Sequence, residues 1–337
     1  MSSSITDLLK IELTLEYESV LTAEHEVESF LLFTQDIPTG NLGFIDSRAA
    51  TVDVSIRDNE YTIHQSPTLL SSSRAGGTTG AVLWKITPLF AEWISNPTNP
   101  LWKTSFLTQD SIVTELGCGI SALIPLTLAP SIQHYIATDQ EYVRRYFRTN
   151  LDENANATSK SKGKSKGAAK NKSKKQGSTK GASASASAVS NLTSNSNIIF
   201  TTLDWELDQP ALLKQCIQES SDDDDDDDDK GFDLLLSCDC IYNDALITPL
   251  VSTCAEICRL RPVYTSTAET ERQGSKPTVC IVAQQQRAPE VFESWLRETL
   301  REFRVWRISD EVLGDGLKGW KWIFGAFTSG QGEVNAA

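Results

Sequence analysis

The chain has 337 residues, 39% hydrophobic and 8% aromatic, which suffices for one full-sized core with appendages. Its formal net charge is −14; setting aside nine lysines in 160–180 and eight aspartates in 222–229 leaves −15, so the body itself is acidic, which argues against a direct nucleic-acid partner and suits a basic protein. There is no secretory leader, no window near the ~18 apolar residues of a membrane span, and no disulfide framework in seven mostly apolar-flanked cysteines, so a soluble protein of the cytoplasm, or also the nucleus, is expected.

Residues 1–75 read as an N-terminal arm. Within it, 51–56 alternates as a half-buried strand should, Asp58 and Asn59 supply a turn, and 61–64 returns, which predicts a β-hairpin. The glycine-rich stretch 76–80 breaks the chain, and 81–94 reads as a helix carrying Trp84, Phe90 and Trp93. From 112 onward, strands at 112–116, 134–138, 197–203, 232–238 and 278–283 alternate with helices at 120–128, 141–154, 210–218, 244–260 and 289–301. The last apolar runs, 303–308 and 320–327, have no helix-length segment between them and so pair as adjacent strands. This pattern is that of an α/β domain over 76–330 with a mostly parallel sheet and an antiparallel C-terminal pair, followed by a tail at 331–337.

Two insertions interrupt the domain. Residues 155–196 are rich in Lys, Ser, Ala and Gly and are expected to be disordered, and 219–230 carries the acidic run. Each precedes a strand, so each is expected at the N-terminal edge of the sheet. Ligands of such sheets bind at the carboxyl edge.

Glu115-Leu-Gly-Cys-Gly119 places a glycine turn between a buried strand and a helix, where backbone can approach a ligand closely. Twenty residues further on, Asp139 ends the next strand with a carboxylate suited to ribose hydroxyls. The turn alone is ambiguous, because 117–122 also satisfies the dinucleotide pattern G-x-G-x-x-A. Leu203-Asp204-Trp205 ends the third strand with an aromatic face for an adenine, or else a core tryptophan. Ser237 to Tyr242 closes the fourth strand. There Asp239 can orient an incoming amine and Tyr242 can offer its ring or hydroxyl, while the plainer reading of Asp239 is a helix N-terminal acid. No histidine cluster completes a metal set.

Taken together, Glu115-x-Gly-x-Gly119, Asp139, Leu203-Asp-Trp205 and Asp239-x-x-Tyr242 resemble the seven-β-strand protein-lysine methyltransferases of the methyltransferase 16 family. Thr79-Gly-Ala-Val-Leu-Trp84 resembles that family's N-terminal tryptophan motif, and the resemblance covers about 76–327 apart from the insertions. The segments 65–80 and 239–243 are similar to its fungal members that act on ribosomal lysines. The resemblance implies a Rossmann-like class I methyltransferase with S-adenosyl-L-methionine as cofactor. It places Trp84, Gly117, Cys118, Gly119, Asp139, Trp205 and Cys238 around the cofactor, with Asp239 and Tyr242 facing the lysine as the catalytic pair. A basic, large-subunit ribosomal protein is then the expected substrate of a monomer, and charge, hydropathy and the scattered histidines lead us to expect no direct nucleic-acid partner, membrane or metal. Cys238 departs from the alanine of many relatives, and Cys118 fills a small-residue position. Other readings stay open at this stage: a translation, chaperone or small-molecule substrate, an NAD-dependent oxidoreductase, and a non-catalytic scaffold.

Overall fold

Apolar strands alternating with amphipathic helices build one sheet covered on both faces. The computed structural model describes residues 11–13, 43–74, 77–155, 196–218, 231–261, 277–285, 287–308, 310–313 and 322–329. The strands are β1 (Ile11–Leu13), β2 (Thr51–Ile56), β3 (Asn59–His64), β4 (Ile112–Leu116), β5 (His134–Asp139), β6 (Ile198–Thr202), β7 (Leu234–Cys238), β8 (Val279–Gln285), β9 (Phe303–Arg307) and β10 (Trp322–Ser329). The main helices are α1 (Ile86–Ile94), α2 (Leu123–Leu128), α3 (Glu141–Asn154), α4 (Leu213–Gln218), α5 (Ile247–Arg259) and α6 (Pro289–Glu302).

The sheet order is β1-β9-β10-β8-β7-β4-β5-β6. The pairs β4–β5, β5–β6, β4–β7 and β7–β8 are parallel, whereas β10 is antiparallel to both β8 and β9. The expected C-terminal pair is therefore present, with β10 inserted between β8 and β9. The strand β1, too short to carry a periodic signal, adds an eighth strand antiparallel to β9. Every residue of β4 and β7 is buried, and successive side chains serve opposite cores. Leu234, Leu236 and Cys238 join the core under α1, α2 and α3, while Leu235 joins the one under α5 and α6. Burial on both faces is why these strands read as nearly continuous apolar runs.

The hairpin β2–β3 forms in register Thr51↔His64 to Ile56↔Asn59. Its edge is closed by helix α3. Asn150 and Asn154, one turn apart, accept from the amides of His64 and Thr62 at 2.7 and 3.0 Å and donate back to the same residues' carbonyls at 2.9 and 3.0 Å. Two asparagines thus pair an edge strand that would otherwise expose its backbone.

Some expected boundaries move. The helix expected over 81–94 starts only at Ile86, and Trp84 lies before it in extended chain that bridges Phe44. Tertiary partners take the backbone there: the Leu83 amide donates to Gln65 Oε1 at 3.0 Å, Lys85 to the Gly43 carbonyl at 2.9 Å, and Ser66 to the Ala81 carbonyl at 2.9 Å. The helix expected from 120 starts at Leu123, behind Ala122 at φ +55°. Strand β8 runs two residues past its expected end, to Gln285. The acidic insertion, almost all of the Lys/Ser-rich one, most of the N-terminal arm before 43 and the tail lie outside the described residues.

Candidate functional site

Order reverses between β4 and β7, and the crevice at their carboxyl ends is where open α/β sheets bind ligands. A cavity of about 430 Å³ opens there. All nine residues singled out in the sequence line it: Trp84, Gly117, Cys118, Gly119, Asp139, Trp205, Cys238, Asp239 and Tyr242.

The floor is the glycine turn. Gly117 and Gly119 have φ of +67° and +61°, a region that side chains disfavour. A Cβ on Gly117 would also come within 2.5 Å of Cys240 Sγ. The Gly119 amide donates to Asp139 Oδ2 at 2.8 Å and the Gln140 amide to Oδ1 at 2.7 Å, so the carboxylate is oriented by backbone. Burial pushes the Asp139 carboxyl up to about 6, with both amides and Arg74 opposing. Beneath the turn, Glu115 is buried and accepts from the Tyr135 hydroxyl at 2.6 Å. Burial lifts its carboxyl to about 8, the tyrosine opposing and Asp139 adding.

The roof is the segment 77–84. The Gly80 carbonyl accepts from the Ile120 amide at 3.1 Å, and the Gly80 amide donates to the Tyr142 hydroxyl at 3.2 Å. Thr79 Oγ1 donates to the Tyr242 hydroxyl at 3.2 Å, and Trp84 Nε1 donates to the Thr79 carbonyl at 3.1 Å. Trp205 stands half-buried beyond β6, packed against the α5 side of the core.

At the far end Asp239 follows β7 with φ +62°, an uncommon conformation that an aspartate tolerates better than most residues. It is 5% exposed. Its Oδ1 accepts from Arg287 Nη1 at 2.7 Å, Gln284 Nε2 at 3.1 Å and the Gln285 amide at 3.3 Å, and Oδ2 accepts from Arg287 Nη2. Burial raises the Asp239 carboxyl and Arg287 opposes that. The donors come from the end of β8 and the link beyond it, not from a helix N-terminus next in sequence. Burial also pushes the Cys118, Cys238 and Cys240 thiols up, which keeps them protonated and unreactive. No group of His, Cys, Asp and Glu able to hold a metal occurs among the described residues.

Several contributors escaped the sequence reading: Tyr142, Gln284 and Arg287. The run Gln284-Gln285-Gln286-Arg287, polar at the carboxyl end of a buried strand, was the available signal for the last two.

The antiparallel β10 separates this sheet from the dinucleotide fold, whose second half repeats the parallel βαβ pattern. The cavity fits an S-adenosyl nucleoside by its own chemistry, with two glycines and a small cysteine in its floor, a buried carboxylate fixed by backbone amides, and Trp84 and Trp205 in its lining. The class follows: the chain is an α/β methyltransferase with S-adenosyl-L-methionine as its methyl donor. In sequence it is similar to the ribosomal lysine N-methyltransferase 5 of Zygosaccharomyces rouxii, 28% identical over 257 residues, covering 73% of this chain and 72% of that one. The protein of the same name from Vanderwaltozyma polyspora is 24% identical over 336 residues, covering 89% and 96%. A diaminohydroxyphosphoribosylamino-pyrimidine deaminase of Schizosaccharomyces pombe is 31% identical over 136 residues, which cover 40% of this chain and only 32% of that protein. Among solved structures, the chain is similar to a putative methyltransferase from Streptococcus mutans with 7% identity and a TM-score of 0.40, covering 83% and 55%. No family model matches the chain.

Proposed function

We propose that this chain transfers a methyl group from S-adenosyl-L-methionine to the side-chain amine of a lysine in a ribosomal protein of the large subunit. One observation carries the reading: a buried carboxylate, Asp239, and a partly exposed phenol, Tyr242, end the cavity wall beside the glycine turn. The acidic body and the names of the relatives support a basic ribosomal substrate. That the seven cysteines stand mostly in apolar segments supports a reducing compartment, the cytoplasm or nucleus.

Asp139 would hold the ribose hydroxyls, Trp205 and Trp84 would flank the cofactor, and Gly117, Cys118, Gly119 and Cys238 would leave it room. Bound there, the sulfonium supplies an activated methyl group and takes back the electron pair of the broken bond. The chain's own task is then alignment. The nucleophile must be a neutral amine, whereas free lysine has a pKa of ~10.4. Desolvation in the cavity and the positive charge of the methyl donor would disfavour the charged form. Asp239 would accept a hydrogen bond from the amine and point its lone pair at the methyl.

The test is transfer of tritium from labelled S-adenosyl-L-methionine into an extract of cells lacking the enzyme. Label in one large-subunit ribosomal protein is expected, recovered on hydrolysis as methyl-lysine. Asp239→Ala should fold and bind S-adenosylhomocysteine yet lose ~10²-fold or more in turnover. Label in RNA or small molecules, or a fully active Asp239→Ala, would refute the reading.

A further inference from the structure

Arg287 plays no part in the reading above, yet it holds two residues of the cavity lining, Asp239 and Trp84, at once. Its guanidinium meets the Asp239 carboxylate with both terminal nitrogens, Nη1 to Oδ1 at 2.7 Å and Nη2 to Oδ2. It lies over the Trp84 ring, 4.7 Å from the centroid. The Gln285 carbonyl and Oε1 accept from it at 3.3 and 3.4 Å. Gly43, at φ +92°, packs so closely that a Cβ there would come within 2.5 Å of Nη2. A planar fork matched to a carboxylate and stacked on an indole is a role that arginine fills and lysine does not.

We propose that Arg287 is a positioning residue for methyl transfer, fixing the plane of the Asp239 carboxylate and matching its charge so that Oδ2 orients a neutral lysine amine instead of holding an ammonium. This rests on the lysine reading. An unmatched buried carboxylate would stabilise the charged amine, which has no lone pair to give. Among the described contacts Oδ1 has three donors and Oδ2 one, and a carboxylate oxygen can accept a second. Oδ2 is therefore the oxygen that receives the substrate.

The full-length chain with Arg287→Ala or Arg287→Lys tests this, with kcat, KM and S-adenosylhomocysteine affinity measured separately on ribosomal protein from cells lacking the enzyme. Arg287→Ala should lower kcat by ~10²-fold, the scale of a small misplacement of a reacting group, and leave cofactor affinity within about twofold. Millimolar guanidinium should restore kcat at least about tenfold, whereas a merely weakened fold would gain nothing from so little salt. In an Asp239→Asn background the arginine change should cost little more, because the two act as a unit. Arg287→Lys keeps the charge without the fork and should recover only part of the turnover.

Unchanged or raised turnover in Arg287→Ala would overturn the proposal, the raised case marking the arginine as a plug. Loss of cofactor affinity in step with turnover, or no rescue by guanidinium, would overturn it too. Should Arg287→Ala fail to fold, a fully active Arg287→Lys has the same force. A wild-type chain that methylates no lysine overturns both readings; an active wild type with an indifferent Arg287 overturns this one alone.

Discussion

Two carboxylates near the cofactor cavity titrate where the enzyme can be studied. Asp139 is held up to about 6 by burial, so it is ionised above that pH and protonated below. Ribose hydroxyls need an acceptor. Affinity for S-adenosylhomocysteine is therefore expected to weaken below pH 6, by up to about tenfold per unit, and calorimetry from pH 5 to 7.5 measures it. A flat profile in wild type would remove Asp139 from the ribose role. Glu115 is raised to about 8 from an ordinary 4.5, so the folded state binds the extra proton between those values. Its contribution to stability is full below about 4.5 and declines as pH rises towards 8, by at most ~1.4 kcal/mol per unit. Glu115→Gln should melt higher than wild type near pH 8 and lose the advantage near pH 5. Parallel melting curves for the two would contradict this. Both acids were legible in the sequence, as was Asp239, because strand ends next to glycine turns or apolar runs are local features. Their shifted titration was not, because burial depends on what packs above them.

At the scale of elements, the turn after β4 is the most constrained. Gly117 combines φ +67° with a would-be Cβ 2.5 Å from Cys240 Sγ. Gly117→Ala should destabilise the fold by about 1–2 kcal/mol from backbone conformation alone, with more from the clash. It should also abolish measurable cofactor binding. Adding Cys240→Ala should relieve the clash and leave the backbone cost, so the double variant melts between Gly117→Ala and wild type; a single variant that melts and binds as wild type does would sink the argument. Most helices and strands were legible because apolar period 3.6 and apolar runs are written along the chain. Helix α3 matched its expected limits, 141–154. The segment around Trp84 was misread as helix because its residues have no local reason to be extended. Gln65, Ser66, Gly43 and Phe44 supply that reason from distant positions. The asparagine ladder from α3 to β3 was hidden likewise, since Asn150 and Asn154 look like ordinary polar positions of an amphipathic helix.

Over the whole molecule, the points where the chain leaves for the insertions stand apart from the cavity. The insertions enter ahead of β6 and β7, while the cavity lies at the opposite, carboxyl ends of β4, β5 and β7. Deleting 158–194 should leave kcat and cofactor affinity within about twofold, because the tract joins the chain ahead of β6 and the cavity lies at the strands' carboxyl ends. A folded deletion that no longer turns over would show that the tract takes part in catalysis. The sequence by itself determined the strand–helix alternation and the glycine turn, because each is a short-range pattern with a physical purpose; the nine residues that share one cavity came together only with the family resemblance. Tertiary structure alone decided that β10 enters between β8 and β9, and that β1 joins the far edge. It also decided the partner of Asp239. Arg287 lies 48 residues away, and only the pairing of β7 with β8 brings the two charges together. Charge complementarity across a sheet edge is a property of neighbours in space, which no local pattern along the chain records.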